Sequence, residues 1–193
     1  MSLADVVLPR IAAVWRDEIV PSLSEYIRIP CVSSAYEPKW AELGHMDRAV
    51  EHIRDWCAAR EVQGLTIERH DLPGRSPVLL MEIPAFNGGR DDRTILFYGH
   101  LDKQPEMEGW FPEHGPWDPH VTDGKPYGRG GGDDGYAAYA AIAALEALQA
   151  AGGRHDRAVV LIEASEESGS IDLPAHLVAR AGRIGTPDLV MCL

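Results

Sequence analysis

Two apolar runs constrain this chain more than any other feature. TILFYG at residues 94–99 and RAVVLIEA at 157–164 both read as buried strands. Between them lies DGYAAYAAIAALEALQAAGG at 134–153, an alanine-rich helix that stops at Gly152 and Gly153. A strand, a helix and a second strand in succession form the crossover that joins parallel neighbours. The rest of the chain keeps the alternation. LTIERHD and PVLLMEI read as two strands around the turn LPGRS, and PDLVMCL reads as a last strand. Helical spacing of apolar residues runs from Leu3 to Ile19, with Pro21 expected to interrupt it before a short helix carrying Leu23, Tyr26 and Ile27. Helix returns over about 41–60, with Met46, Val50, Ile53, Trp56 and Cys57 on one face, and again near Pro174 to Arg183. Residues 103–131 hold five of the fourteen prolines and are expected to form a long, ordered, functional loop. The predicted fold is an α/β, three-layer sandwich with a mostly parallel central sheet.

Charge and length narrow the function. The chain has 193 residues, enough for one domain or slightly more, and a net charge of −12. That charge disfavours nucleic acid and anionic membranes as partners, because both are polyanions. It suits an enzyme that keeps some carboxylates for cations. Cys31, Cys57 and Cys192 form no CxxC pair and no disulfide framework, which points to a reducing compartment. The N-terminus mixes charges into its apolar pattern, unlike a signal peptide, and no stretch approaches the ~18 apolar residues of a membrane span. The expected location is cytoplasmic.

Three polar clusters follow or flank the buried elements. His100 and Asp102 come straight after the strand that ends at Gly99. GRGGGDDG at 128–135 brings Asp133 and Asp134 to the start of the alanine-rich helix. EASEESGS at 163–170 sets Glu166 and Glu167 after the second strand. Each has a plainer reading: a polar loop pair, an aspartate capping a helix, a solvated acidic turn. A phosphate loop is disfavoured, since no GK[ST] follows the glycines and two carboxylates would repel a phosphate. In a parallel sheet, however, the carboxyl ends of the strands share one edge, so the three clusters would meet there. An imidazole with carboxylates and no thiolates suits zinc, manganese or cobalt in a hydrolytic site.

YGHLDKQP, DGKPYGRGGGDDG and EASEESGS, in this order and spacing, resemble the dinuclear zinc exopeptidase and deacylase family. That family includes carnosinase-like dipeptidases, glutamate carboxypeptidase, aminoacylase and succinyl-diaminopimelate desuccinylase. The resemblance implies a phosphorylase/hydrolase-like zinc peptidase domain with two divalent ions, zinc first, manganese or cobalt otherwise. It implies metal ligation by His100, Asp133 and Glu167, with Asp133 bridging the ions and a cis peptide joining it to Asp134. It gives Asp102 the task of orienting His100 and Glu166 that of general base. The substrate implied is a small peptide, with N-acyl amino acids as the alternative. The tryptophans of EGWFPEHGPWDP resemble the carnosinase-like branch, whereas DDGY departs from the Asp-Asp-Lys-Gly of many members. The family places further ligands beyond the last strand, after a lid or dimerisation domain. The expectation is therefore that residues 1–193 are the N-terminal part of a catalytic domain, incomplete at the C-terminus. Such a piece would bind metal weakly, hydrolyse little and associate with another copy; a non-catalytic binding module is the reading from another class.

Overall fold

The computed structural model describes residues 2–111 and 114–193. In chain order the helices are α1 (Leu3–Val14), α2 (Val20–Ile27), α3 (Trp40–Leu43), α4 (His45–Ala58), α5 (Ala137–Ala150), α6 (Leu173–Ala179) and α7 (Ala181–Ile184). The strands are β1 (Thr66–His70), β2 (Val78–Ile83), β3 (Thr94–His100), β4 (His120–Thr122), β5 (Lys125–Tyr127), β6 (Arg157–Glu163) and β7 (Leu189–Cys192). The two apolar runs are β3 and β6. They pair in parallel from Thr94 opposite Arg157 to His100 opposite Glu163, with α5 as the crossover.

The main sheet has the order β1-β2-β6-β3-β7. β7 is parallel to β3, while β2 is antiparallel to both β1 and β6. Four strands therefore run one way and only β2 is reversed, so the sheet is mostly parallel. Side chains alternate across β6. Ala158, Val160 and Ile162 join Leu79, Met81 and Ile83 against α2, α4 and α5. Val159 and Leu161 join Val78, Leu80 and Leu96 on the other face, with Ile184 of α7 and Leu173 of α6. The three layers follow from β6 being apolar on both faces; full burial of one such aliphatic side chain is worth roughly 1.5–3 kcal/mol.

The structure departs from the sequence reading in four places. Pro21 does not interrupt the N-terminal helix. A π-turn over Trp15–Ile19 precedes it, in which Val20 N–H reaches back to Trp15 O, so α1 and α2 run on continuously. The wider turn gives room to a residue that has no N–H to donate. The helix expected over about 41–60 is split at Gly44, which has φ +66°. The helix expected near 174–183 is split at Arg180 into α6 and α7. Inside the proline-rich loop, β4 and β5 form a hairpin around Asp123 and Gly124, whose φ values of 53° and 74° suit a tight two-residue turn.

Gly99, one residue before His100, lets α5 approach β3. A Cβ there would overlap Ala137 Cβ and Asp134 Oδ2. Gly99→Ala is expected to cost about 1–3 kcal/mol, the usual penalty of overpacking. Urea unfolding with an unshifted midpoint would show that α5 moves aside freely.

Candidate metal centre

The carboxyl edge of β3 and β6 is built by main-chain and side-chain bonds between distant segments. Leu101 N–H donates to Glu163 O at 2.8 Å, which fixes the chain as it leaves β3. Asp102 is fully buried and uses both carboxylate oxygens. Oδ1 accepts from Glu166 N–H at 3.1 Å and Oδ2 from Glu167 N–H at 3.0 Å. The residue expected to orient His100 therefore also holds the turn that carries both glutamates. Asp134 Oδ2 accepts the His100 backbone N–H at 3.1 Å, which brings in the glycine-rich loop. The Asp133–Asp134 peptide is cis.

These ties bring the expected ligands together. One donor atom from each of His100, Asp133 and Glu167 lies within 4.8 Å of the others. Two ligands at ~2 Å from one ion are at most ~4 Å apart, so a small side-chain rotation would let the three share an ion. His100 Nδ1 lies 3.1 Å from Asp102 O and 3.5 Å from Asp102 Oδ1. Its Nε2 lies 3.1 Å from Asp133 Oδ1 and 3.7 Å from Glu166 Oε2. Asp133 is exposed, whereas His100 is buried.

Among the described residues, the groups paired with the His100 ring are all acceptors, so Nε2 calls for a proton or a metal ion. Burial opposes charge on the ring, but Asp102, Asp134 and Glu166 outweigh it and raise its pKa to about 9. Burial lifts Asp134 to about 6 against the pull of the His100 N–H, and burial also raises Glu167. Among the described residues, none of Asp102, Asp133, Asp134, Glu166 and Glu167 pairs with a lysine or arginine. Asp134 Oδ1 is buried with no hydrogen-bond partner among the described residues. An acidic cluster of this kind, with His100 but no lysine or arginine partner among the described residues, fits a divalent cation.

Several contributors were not singled out in the sequence. The Gln104 amide donates to Glu167 Oε2. Lys103 is fully buried and donates Nζ to Tyr26 O at 2.9 Å and Ile29 O at 2.8 Å, pinning the end of α2 to the HLD loop. Their signal was their place in HLDKQP, since a polar residue beside a ligand loop has few other partners. Neither aspartate side chain caps α5: its N-cap is Tyr136, with no side-chain cap bond. Trp110 and Trp117 hydrogen-bond within their own loop, to Glu106 O at 2.8 Å and Glu106 Oε1 at 2.9 Å. Pro112 and Glu113 of that stretch lie outside the described residues.

Comparison with known proteins gives this geometry a family. Residues 96–190 match the profile of Peptidase family M20/M25/M40. Mouse Beta-Ala-His dipeptidase is 31% identical over 128 residues, covering 62% of this chain and 25% of that protein. The human Beta-Ala-His dipeptidase is 35% identical over 132 residues, with 62% and 24% covered. The matched segment thus spans about a quarter of these curated relatives. The crystal structure of human carnosine dipeptidase 1 superposes with a TM-score of 0.76 at 27% identity, over 100% of this chain and 41% of that one. The fold is also that of the dipeptidase Dug1p from Saccharomyces cerevisiae, at 23% identity and a TM-score of 0.76 over 100% of this chain and 41% of that one. The profile places residues 96–190 in the M20/M25/M40 peptidase family, and the fold of the whole chain is that of human carnosine dipeptidase 1.

Proposed function

We propose that this chain supplies the N-terminal part of the catalytic domain of a zinc-dependent dipeptidase. The observation that carries this reading is the meeting of His100, Asp133 and Glu167 within 4.8 Å at the carboxyl edge of the sheet. The relatives named as dipeptidases support the substrate class. His100, Asp133 and Glu167 would hold the divalent ions, two in number by resemblance. Such ions polarise a carbonyl oxygen and make water acidic near neutral pH. Glu166 would move the proton: its carboxylate would take it from the attacking water and return it to the departing amine nitrogen as the C–N bond breaks. Asp102 holds the His100 ring and the main chain of Glu166 and Glu167 in place. The three unpaired cysteines support a reducing, cytoplasmic setting. No helix among the described residues is long and apolar enough to cross a membrane.

Zinc titration by calorimetry, with dipeptides and N-acyl amino acids assayed in parallel, tests the proposal. At pH 7 His100 holds its proton, because its pKa is raised to about 9. The ion held by His100 must displace that proton, so filling that site is expected to release about one proton. Apparent affinity should rise about tenfold per pH unit and level off above pH ~9. Turnover of N-acyl amino acids alone would move the reading to a deacylase. Absence of zinc binding would leave only a non-catalytic module.

A further inference from the structure

We infer that Glu163 is a positioning residue that sets the turn bearing Glu166 and Glu167; the inference rests on the metal reading above. Glu163 ends β6 directly opposite His100 and is fully buried. A buried carboxylate normally takes a cationic partner. Among the described residues Glu163 has none, and three hydroxyls serve it instead. Oε1 accepts from Tyr98 Oη at 2.5 Å and Ser170 Oγ at 2.8 Å, and Oε2 from Ser165 Oγ at 3.0 Å.

The donors show what is being held. Tyr98 belongs to β3, two residues before His100. Ser165 and Ser170 flank the short 3-10 turn Glu166–Ser168, and Ser170 N–H closes on Ser165 O at 2.8 Å. Ser170 sits at φ +53°, a left-handed conformation that a residue with a Cβ rarely adopts, and its bond to Glu163 holds it there. One carboxylate therefore clamps both ends of the turn and ties them to the strand of His100. Its own carbonyl receives Leu101 N–H. Asp102 grips the same turn from the other side through the Glu166 and Glu167 N–H groups. An apolar side chain at 163 could fill the space but could not fix the turn.

The test is zinc affinity of the full chain, with thermal unfolding followed on the same samples. Glu163→Ala is expected to weaken zinc binding 10–100-fold, the usual effect of losing a partner behind a ligand. Glu163→Gln is expected to stay within about threefold of wild type. Its amide oxygen can accept from Tyr98 and Ser170 while its NH2 donates to Ser165 Oγ. That rescue separates positioning from a loss of fold alone. If Glu163→Ala does not fold, Ser170→Ala, which cuts one tie at the far end of the turn, should weaken zinc about tenfold. A folded Glu163→Ala or Ser170→Ala chain with wild-type affinity overturns the role of Glu163 while leaving the metal reading intact. A wild-type chain that binds no zinc overturns both.

Discussion

In the complete enzyme to which this chain is proposed to belong, replacing Glu166 by glutamine is expected to lower dipeptide turnover by about 10²–10⁴-fold while zinc still binds. The main-chain N–H of Glu166 is fixed by Asp102 Oδ1 at 3.1 Å, so the backbone should not move when the side chain changes. The side chain is half-exposed and reaches within 3.7 Å of His100 Nε2, where water and substrate have access. An amide has the same shape but cannot take a proton. The loss should fall on kcat, with the zinc titration superimposable on that of the parent protein. Glu167 is the competing base. It is already engaged by the Gln104 amide, which favours a fixed ligand over a proton carrier. Turnover within a few-fold of the parent would transfer the role to Glu167.

The parts of the fold that could be read from sequence are those with a strong local period. TILFYG, the alanine-rich helix and RAVVLIEA are dictated by their own side chains, and they became β3, α5 and β6. The three motifs were readable for the same reason: each adjoins one of these elements, so their meeting follows from parallel topology. Elsewhere the outcome depends on partners far away in sequence. The insertion of reversed β2 between β1 and β6 is a pairing choice that no local window contains. Pro21 reads as a break because its missing N–H is legible in the sequence, whereas the π-turn that accommodates it is not. The Asp123–Gly124 hairpin signal was present, but it lay among prolines that suggested irregular loop. Lys103 and Glu163 are charged residues at 0% exposure. The burial of Lys103 is decided by main-chain carbonyls at the end of α2, more than 70 residues away in sequence, and that of Glu163 by three hydroxyls, of which Tyr98 lies on another strand.

Asp102→Asn is the substitution expected to damage fold and site together. Asp102 Oδ1 faces the Glu166 N–H and, at 3.5 Å, the His100 ring; Oδ2 faces the Glu167 N–H. All three neighbours are donors, and a carboxylate satisfies all of them. An amide has one acceptor and one donor, so in either orientation its NH2 points at a main-chain N–H. That leaves a partly buried donor unpaired, at a cost of about 1–3 kcal/mol in urea unfolding. The turn bearing Glu166 and Glu167 should loosen, and zinc affinity should fall 10–100-fold. The charge on His100 responds as well. Burial opposes that charge, and Asp102 contributes most to overcoming it and raising the pKa to about 9. Without the carboxylate the His100 titration, followed by NMR on the metal-free chain, should move down toward the ordinary imidazole range. Zinc binding should then release fewer protons at pH 7. An unchanged His100 titration together with zinc affinity within about threefold of wild type would show that Asp102 neither charges the ring nor couples it to the glutamates.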